Sequence, residues 1–178
     1  MNKMKIRGLK KLRKRALPIF EGGFAFSTTS PLATYRLGEL LGRVFHSGIV
    51  ALFGELGSGK TVFAKGLAHS LGVRNVHREV VSPSFMLIRE HEGRMPFYYM
   101  DLYRVGSEDE LIQLNLPDYF SREGVVLIEW AERAGHYLPE ESIQIHFAVL
   151  DRRKRRIEIT KAPQALLASL SLKPQSRY

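Results

Sequence analysis

A glycine-rich segment at residues 54–61 constrains the fold of this chain more than any other stretch. It reads Gly-Glu-Leu-Gly-Ser-Gly-Lys-Thr and matches the Walker A pattern G-x-x-x-x-G-K-[ST]. Residues 49–53 precede it as a wholly apolar run, which is typical of a strand buried on both faces of a parallel sheet. After it, apolar residues recur at helical spacing as far as Leu71, and Gly72 can end that helix. A strand, a glycine loop and a helix in this order predict a phosphate-binding loop.

The residue types in this loop have defined chemical tasks. Glycines let backbone N–H groups turn inward, and the helix N-terminus adds positive potential. We expect Lys60 to reach the β- and γ-phosphates of a nucleotide, and the Thr61 hydroxyl to hold Mg²⁺. The alternative is a glycine-rich turn that binds nothing, but the flanking strand and helix favour nucleotide binding. The loop residues predicted to bind nucleotide are Glu55, Leu56, Gly57, Ser58, Gly59, Lys60, Thr61 and Val62.

Other apolar runs predict the remainder of a single sheet. The predicted strands are residues 24–26, 86–91, 97–101, 124–130, 143–147 and 156–160. Helices are expected after the capping residues Ser30 and Ser107, and across residues 163–170. We therefore predict an α/β protein. Its fold would be a P-loop NTPase-like three-layer sandwich with a mainly parallel central sheet and an antiparallel hairpin.

The charge of the chain is concentrated at one end. The net charge is +9, and residues 1–20 contain eight Lys or Arg and no acid, so the rest is nearly neutral. We predict a flexible basic extension at residues 1–22 and one domain at residues 23–178. An RNA-contacting arm and an organelle transit peptide are the alternatives for the extension. The chain has no cysteine, which fits a reducing compartment, and no apolar run approaches the roughly 18 residues of a membrane span.

Three polar residues at predicted strand ends are candidates for catalysis. Glu129 follows four apolar residues, as in the Walker B pattern, and is expected beside Mg²⁺ or the attacking water. Asp101 could orient that water or act as its base. Ser84 lies in a proline-containing loop that could sense the γ-phosphate. Because the carboxyl ends of parallel strands share one edge, these residues are expected near the loop.

Each candidate also has a purely structural interpretation. Asp101 could cap the turn that follows it or pair with Arg104, and Ser84 could be an ordinary turn residue. Trp130 could be a core aromatic or a stacking surface near the nucleotide or a partner. The basic run at residues 152–156 could be a solvated hairpin tip, or one of its arginines could reach the base or phosphates.

Five motifs in order resemble the bacterial TsaE family. They are the loop at 54–61, Ser-Pro-Ser-Phe at 82–85, Asp-Leu-Tyr-Arg at 101–104, Asp-Tyr-Phe at 118–120 and Ile-Glu-Trp at 128–130. The resemblance covers about residues 24–160. It implies a small, weak, Mg²⁺-dependent P-loop ATPase that binds ATP or ADP. Such a protein acts with TsaD and TsaB to place threonylcarbamoyl on N6 of the adenosine next to the anticodon, without itself carrying the transfer.

The resemblance also implies a role for individual residues. Thr61 and Glu129 would hold Mg²⁺, Asp101 would be needed for hydrolysis, and Trp130 would lie on the nucleotide side. An arginine near residues 152–153 would approach the nucleotide, and we choose Arg153. Two departures from the family pattern are Ser84 in place of the usual Thr, and Ala131 in place of a frequent Pro. The family implies a cytoplasmic protein that meets tRNA only through the complex and has no membrane contact.

Two rival functions stay open from the sequence. A small P-loop kinase of a metabolite would need an arginine-bearing lid, for which only residues 152–156 could qualify. An RNA-binding module would use the basic extension and show steeply salt-dependent affinity. A GTPase is disfavoured, since the chain has no Asn/Thr-Lys-x-Asp run for guanine and no Asp-x-x-Gly after the loop.

Overall fold

A computed structural model describes residues 17–19, 23–80 and 87–162 of the chain. The strands in this part are β1 Leu17–Ile19, β2 Gly23–Thr28, β3 Gly48–Phe53, β4 Ile88–His91, β5 Phe97–Asp101, β6 Val125–Glu129, β7 Ile143–Val149 and β8 Arg155–Thr160. The helices are α1 Pro31–Val44, α2 Lys60–Ser70, α3 Val76–Glu79, α4 Glu108–Leu114 and α5 Leu116–Ser121, with a 3₁₀ segment at Ala131–Tyr137. None of these described helices is long and apolar enough to cross a bilayer.

The strands form one sheet in the order β1-β2-β8-β7-β3-β6-β5-β4. Its centre is parallel, because β7, β3, β6 and β5 pair in the same direction. Antiparallel strands flank this centre on both sides, with β4 beyond β5 and with β8, β2 and β1 beyond β7. The predicted α/β fold with a mainly parallel centre is confirmed. The loop strand β3 lies between two parallel neighbours, as its wholly apolar composition indicates.

Helices cover both faces of the sheet, which gives three layers. Val50 and Leu52 of β3 point into a core with α1 and α2, whereas Ile49 and Ala51 point into a core with α4, α5 and the 3₁₀ segment. This alternation follows from the two-residue period of a strand. Residues of β5 and β6 alternate in the same way, so Glu129 belongs to the face that carries α2.

Helix α1 packs against the loop helix α2 so closely that their backbones are in contact. It begins where the Ser30 hydroxyl accepts a hydrogen bond from Ala33 N–H at 3.2 Å, with Pro31 in its first turn. Where it crosses α2, a Cβ on Gly38 would overlap the carbonyl oxygen of Phe63. A Cβ on Gly66 would likewise overlap the carbonyl oxygen of Tyr35. The sheet and α1 together therefore fix the position of α2.

Several predicted segments lie partly or wholly outside the described residues. Strand β1 pairs antiparallel with β2, so the sheet begins inside the segment predicted as a basic extension, residues 1–22. The rest of that extension, residues 1–16 and 20–22, is outside the described part. The predicted helix at residues 163–170 and the loop that contains Ser84 are also outside it.

Candidate functional site

The glycine loop joins the carboxyl end of β3 to the first turn of α2. Gly59, the N-cap residue of α2, has φ 108°, a left-handed conformation that favours glycine. Gly54 has φ 136°, and a Cβ there would lie 2.6 Å from the carbonyl oxygen of Phe147. Both positions therefore require glycine. A loop of this form, set on the N-terminus of a helix, presents backbone N–H groups to an anion.

Lys60 is buried within this loop. Its ammonium donates to the carbonyl oxygens of Gly54 and Glu55, at 3.0 Å to the latter. It also lies 3.9 Å from the centre of a Trp130 ring. Burial lowers the pKa of Lys60, and the nearby carboxylate of Glu129 opposes that shift most strongly. A phosphate group in the loop would compete with these carbonyls for the same cation.

Both carboxylate oxygens of Glu129 accept hydrogen bonds. Thr61 Oγ1 donates to Oε2 at 2.9 Å, and the hydroxyl of Tyr99 donates to Oε1 at 2.9 Å. Burial, followed by the neighbouring Asp101 carboxylate, raises the pKa of Glu129 to about 7. The loop helix and the ends of β5 and β6 are therefore joined at one buried acid.

Tyr99 was not identified from the sequence as part of this cluster. Its side chain is buried, and burial raises its pKa, so the hydroxyl stays a donor to Glu129. The available signal was strand periodicity: Tyr99 lies two residues before Asp101, on the same face of β5. A buried tyrosine hydroxyl also needs a polar partner, and the nearest strand end supplies one.

Asp101 lies directly opposite Glu129 in the β5–β6 register and is also buried. Its Oδ1 accepts a hydrogen bond from Tyr103 N–H at 2.9 Å. Asp101 therefore caps the turn that follows β5, as one of its two structural interpretations predicted. The side chain is also close enough to raise the pKa of Glu129. Asp101 thus combines a structural cap with a place at the edge of the sheet where the loop lies.

Trp130 lies between the loop and the core on the α4–α5 face. Its backbone has φ 57°, and its ring is 4.8 Å from that of Tyr103, centroid to centroid. It packs against the core that includes Ile128 while its ring covers the ammonium of Lys60. The core interpretation of Trp130 therefore describes part of its environment, and stacking against a nucleotide or a partner stays a prediction.

The basic turn between β7 and β8 brings Arg155, not Arg153, to the loop. Arg153 is exposed, and its N–H donates to Asp151 Oδ1 at 2.8 Å. Arg155 donates from Nε to Ser58 O at 3.1 Å and from Nη2 to Gly57 O at 3.3 Å. The basic run at residues 152–156 predicted that an arginine of this segment would approach the loop. The spacing of the run does not show which side chain points towards it. A direct role for Arg153 at the nucleotide stays a prediction.

The other predicted loop residues occupy different environments. Leu56 is 75% exposed at the tip of the loop, whereas Ser58 is buried beneath it and its hydroxyl has no hydrogen-bond partner. Glu55 contributes a carbonyl to Lys60, and Val62 follows in the first turn of α2. Ser84, the third catalytic candidate, lies outside the described residues.

The oxygen donors at Thr61 and Glu129 fit a magnesium ion. Mg²⁺ prefers hard oxygen ligands and is usually bound by one or two carboxylates together with substrate phosphates and water. Thr61 Oγ1, in the first turn of α2, lies 2.9 Å from Glu129 Oε2. In the described part of the chain, no group of three or more His, Asp or Glu side chains could hold a metal by itself.

Replacing Glu129 with Gln is expected to stabilise the ligand-free protein at alkaline pH. The pKa of Glu129 is raised to about 7 in the folded state, so its favourable contribution is present below pH 4.5 and is lost as pH rises through 7. Gln does not ionise, but its amide must be accommodated by Thr61 and Tyr99. We therefore expect a gain of about 1–2 kcal/mol at pH 8.

Urea unfolding in EDTA at pH 5 and pH 8 measures this difference. The stability gain of Glu129→Gln over the wild type should be larger at pH 8 than at pH 5. Glu123→Gln makes the same change at an exposed glutamate and is the control. An equal effect of Glu129→Gln at both pH values would contradict a raised pKa.

Comparison with known proteins gives a consistent result. The family model described as "Threonylcarbamoyl adenosine biosynthesis protein TsaE" matches residues 28–157. The TsaE protein of Treponema pallidum is 38% identical over 127 residues, which cover 71% of this chain and 92% of that protein. The Bacillus subtilis TsaE protein is 41% identical over 120 residues, covering 66% and 73% of the two chains.

A solved structure also matches most of the chain. The crystal structure of YdiB from Bacillus subtilis superimposes with a TM-score of 0.69 at 30% sequence identity. The match covers 86% of this chain and 97% of that one. The sheet and helices that carry the loop therefore have a counterpart in a protein of nearly the same extent.

Proposed function

Because this chain belongs to the TsaE family of tRNA threonylcarbamoyladenosine biosynthesis proteins, we propose that it binds and slowly hydrolyses ATP in that process. One observation carries the proposal. The glycine loop at the start of α2 places Lys60 and Thr61 against the buried acid Glu129, at the carboxyl edge of the parallel strands. That edge is where open α/β sheets bind their ligands.

Nucleotide binding would use the loop backbone and its lysine. The phosphates would lie against the N–H groups at the start of α2, where the helix dipole favours negative charge. Lys60 would exchange the carbonyl oxygens of Gly54 and Glu55 for phosphate oxygens. Thr61 and Glu129 would hold Mg²⁺, which would neutralise charge on the β- and γ-phosphates.

Hydrolysis would use the acid next to this pair. Water would attack the γ-phosphorus, the bond to the β–γ bridging oxygen would break, and the products would be ADP and phosphate. Asp101 would orient the water or accept its proton, since it lies beside Glu129 at the end of β5. Ser84 is our proposed sensor of the γ-phosphate.

The partners proposed for this protein are TsaD and TsaB. They would carry out the threonylcarbamoyl transfer, and this chain would support it through ATP binding and hydrolysis. Contact with tRNA would be only through the complex. We place the protein in the cytoplasm, where tRNA is modified, and without membrane contact.

ATP turnover by the purified protein, alone and with TsaD and TsaB from the same source, tests this proposal. We expect low basal turnover that rises when both partners are present. Asp101→Asn should keep ADP binding but lower turnover by about 100-fold, the usual contribution of a general base. Asp109→Asn changes an exposed acid on α4 in the same way and should have no effect.

Two results would contradict the proposal. Unchanged turnover in Asp101→Asn would remove its assigned catalytic role. ATP turnover that does not change with TsaD and TsaB, but rises with a small hydroxylated metabolite, would instead indicate the metabolite kinase.

A further inference from the structure

The guanidinium of Arg155 lies against the outer side of the glycine loop. Nε donates to the carbonyl oxygen of Ser58 at 3.1 Å, and Nη2 donates to that of Gly57 at 3.3 Å. These two carbonyls belong to consecutive peptide units. A planar guanidinium can hold two such acceptors at once, which a lysine ammonium on a flexible stem cannot do with the same geometry.

The other side of the same guanidinium is attached to the turn between β7 and β8. Nη1 donates to Asp151 O at 3.0 Å and to Lys154 O at 3.3 Å. The turn is closed by Asp151 Oδ1, which accepts from the N–H groups of Arg153 and Lys154 at 2.8 Å each. Arg155 thus connects the loop to a turn that has its own internal bonds.

The backbone of Arg155 is also held on both sides. It is the first residue of β8, where its register partners are Thr28 on β2 and Val149 on β7. A side chain that starts from a position paired on two sides has little freedom to follow a moving loop. The strand, rather than the loop, therefore determines where the guanidinium lies.

Holding these carbonyls outward affects the groups that would bind phosphate. In a planar trans peptide, the C=O and the N–H point in opposite directions. The carbonyls of Gly57 and Ser58 share their peptide units with the N–H groups of Ser58 and Gly59. The Ser58 N–H donates to Glu55 O at 3.2 Å within the loop. A charged donor on the Ser58 carbonyl therefore helps to keep the Gly59 N–H turned towards the concave side of the loop.

The loop needs such support because of its glycines. Gly57 has φ 75°, and no atom lies within 4 Å of where its Cβ would be, so that side of the residue faces open space. Glycine loses more conformational freedom on ordering than any other residue, and ordering during binding weakens affinity. A brace that orders the loop beforehand reduces that cost.

We propose that Arg155 is a positioning residue that keeps the glycine loop in its phosphate-binding conformation by holding the carbonyls of Gly57 and Ser58. The inference rests on the nucleotide binding proposed above and adds a role for the basic turn. Arg155 acts through the loop backbone, so its effect does not depend on how many phosphates the nucleotide carries.

Calorimetric titration with ADP and with ATP, each in Mg²⁺, tests the proposal on three variants of the full chain. Arg155→Met removes the hydrogen bonds and keeps the aliphatic part of the side chain, and Arg155→Lys keeps the charge. Arg156→Met is the matched control, since Arg156 is the next residue on β8 and pairs with Glu158 instead. Thermal unfolding of the nucleotide-free variants shows whether the fold is retained.

We expect Arg155→Met to raise the Kd for ADP and for ATP equally, by about tenfold, the cost of losing bonds to a charged donor. Arg155→Lys should raise both Kd values nearly as much. Arg156→Met should bind ADP and ATP with the affinity of the wild type. Amide hydrogen exchange at residues 57–60 should be faster in the nucleotide-free Arg155→Met protein, with exchange in the central strands unchanged.

Several outcomes would overturn the inference. Full affinity in Arg155→Lys would mean that charge alone is needed, and a loss for ATP but not ADP would indicate direct contact with the γ-phosphate. Normal binding by Arg155→Met would refute the positioning role alone and leave the proposed function intact. A wild-type protein that binds neither nucleotide would refute the proposed function and this inference with it.

Discussion

Replacing Lys60 with Ala is expected to weaken ADP and ATP binding by at least about 100-fold, because it removes the cation from the loop. Hydrogen bonds from a charged donor contribute about 1.5–3 kcal/mol each, and each 1.4 kcal/mol is tenfold in affinity. Lys60 makes two hydrogen bonds to carbonyls in the ligand-free protein and would make comparable ones to phosphate oxygens. Calorimetric titration with ADP in Mg²⁺ measures the loss.

The single tryptophan of the chain provides a second measurement of the same change. Trp130 covers the Lys60 ammonium at 3.9 Å, so its fluorescence reports on this cation without interference from another tryptophan. Lys60→Ala should alter the emission of the ligand-free protein. In the wild type, ADP should alter it as well, since Lys60 would move towards the phosphates.

Lys65→Ala is the control for both measurements. Lys65 is also on α2 but lies more than one turn beyond the loop, so its loss should leave ADP affinity and Trp130 emission unchanged. A Lys60→Ala protein that binds ADP within about tenfold of the wild type would contradict the assigned role, since loss of two charged bonds costs more.

Replacing Gly66 with Ala is expected to destabilise the protein by about 3 kcal/mol, because there is no space for a Cβ between α1 and α2. The added methyl group would overlap the carbonyl oxygen of Tyr35 and lie 3.1 Å from the backbone nitrogen of Glu39. Both neighbours are backbone atoms of α1, so the helices must separate. The better helix propensity of Ala, about 1 kcal/mol, offsets only part of this cost.

Urea unfolding with a matched glycine measures the effect. Gly106→Ala introduces the same methyl group at an exposed position where nothing lies within 4 Å of the new Cβ. We expect that control to stay within about 0.5 kcal/mol of the wild type. Wild-type stability in Gly66→Ala would show that α1 and α2 are not in backbone contact. A destabilised variant should also bind ADP more weakly, because α2 begins at Lys60.

The segments predicted best from the sequence are those whose signals are local. Residues 49–53 were predicted as the loop strand and form most of β3, and residues 124–130 contain β6. The capping residue Ser30 and the acidic first turn after Ser107 both begin helices. Periodicity, caps and turn residues act over a few positions, so the sequence displays them directly.

Strand pairing was less accessible to sequence reasoning. The strands β7 and β8 were expected as a pair, but the sequence did not show that β8 would also pair with β2. It also gave no sign that β1 would join the sheet from within the basic segment. Strand pairing joins segments that are far apart in the chain, so the partner of each strand depends on the whole fold.

The same distinction applies to the candidate site. Glu129, Asp101 and the loop were predicted to share one edge. Asp101 does lie opposite Glu129, and Glu129 accepts a hydrogen bond from Thr61 of the loop. Tyr99 and Arg155 were missed, because their contacts join residues 30 and 97 positions apart in the chain. For Tyr99, the two-residue strand period was a usable signal that pointed to the correct face.

The sequence by itself determined the glycine loop, the α/β class and the order of most elements, because a glycine loop between a buried strand and a helix permits few other structures. Only the tertiary structure decided which arginine of the basic turn reaches the loop. It also decided that a buried tyrosine bonds Glu129 and that Gly38 and Gly66 bring α1 and α2 into backbone contact. The physical reason is that side-chain direction at a turn, and burial at a helix crossing, are set by neighbours far away in sequence.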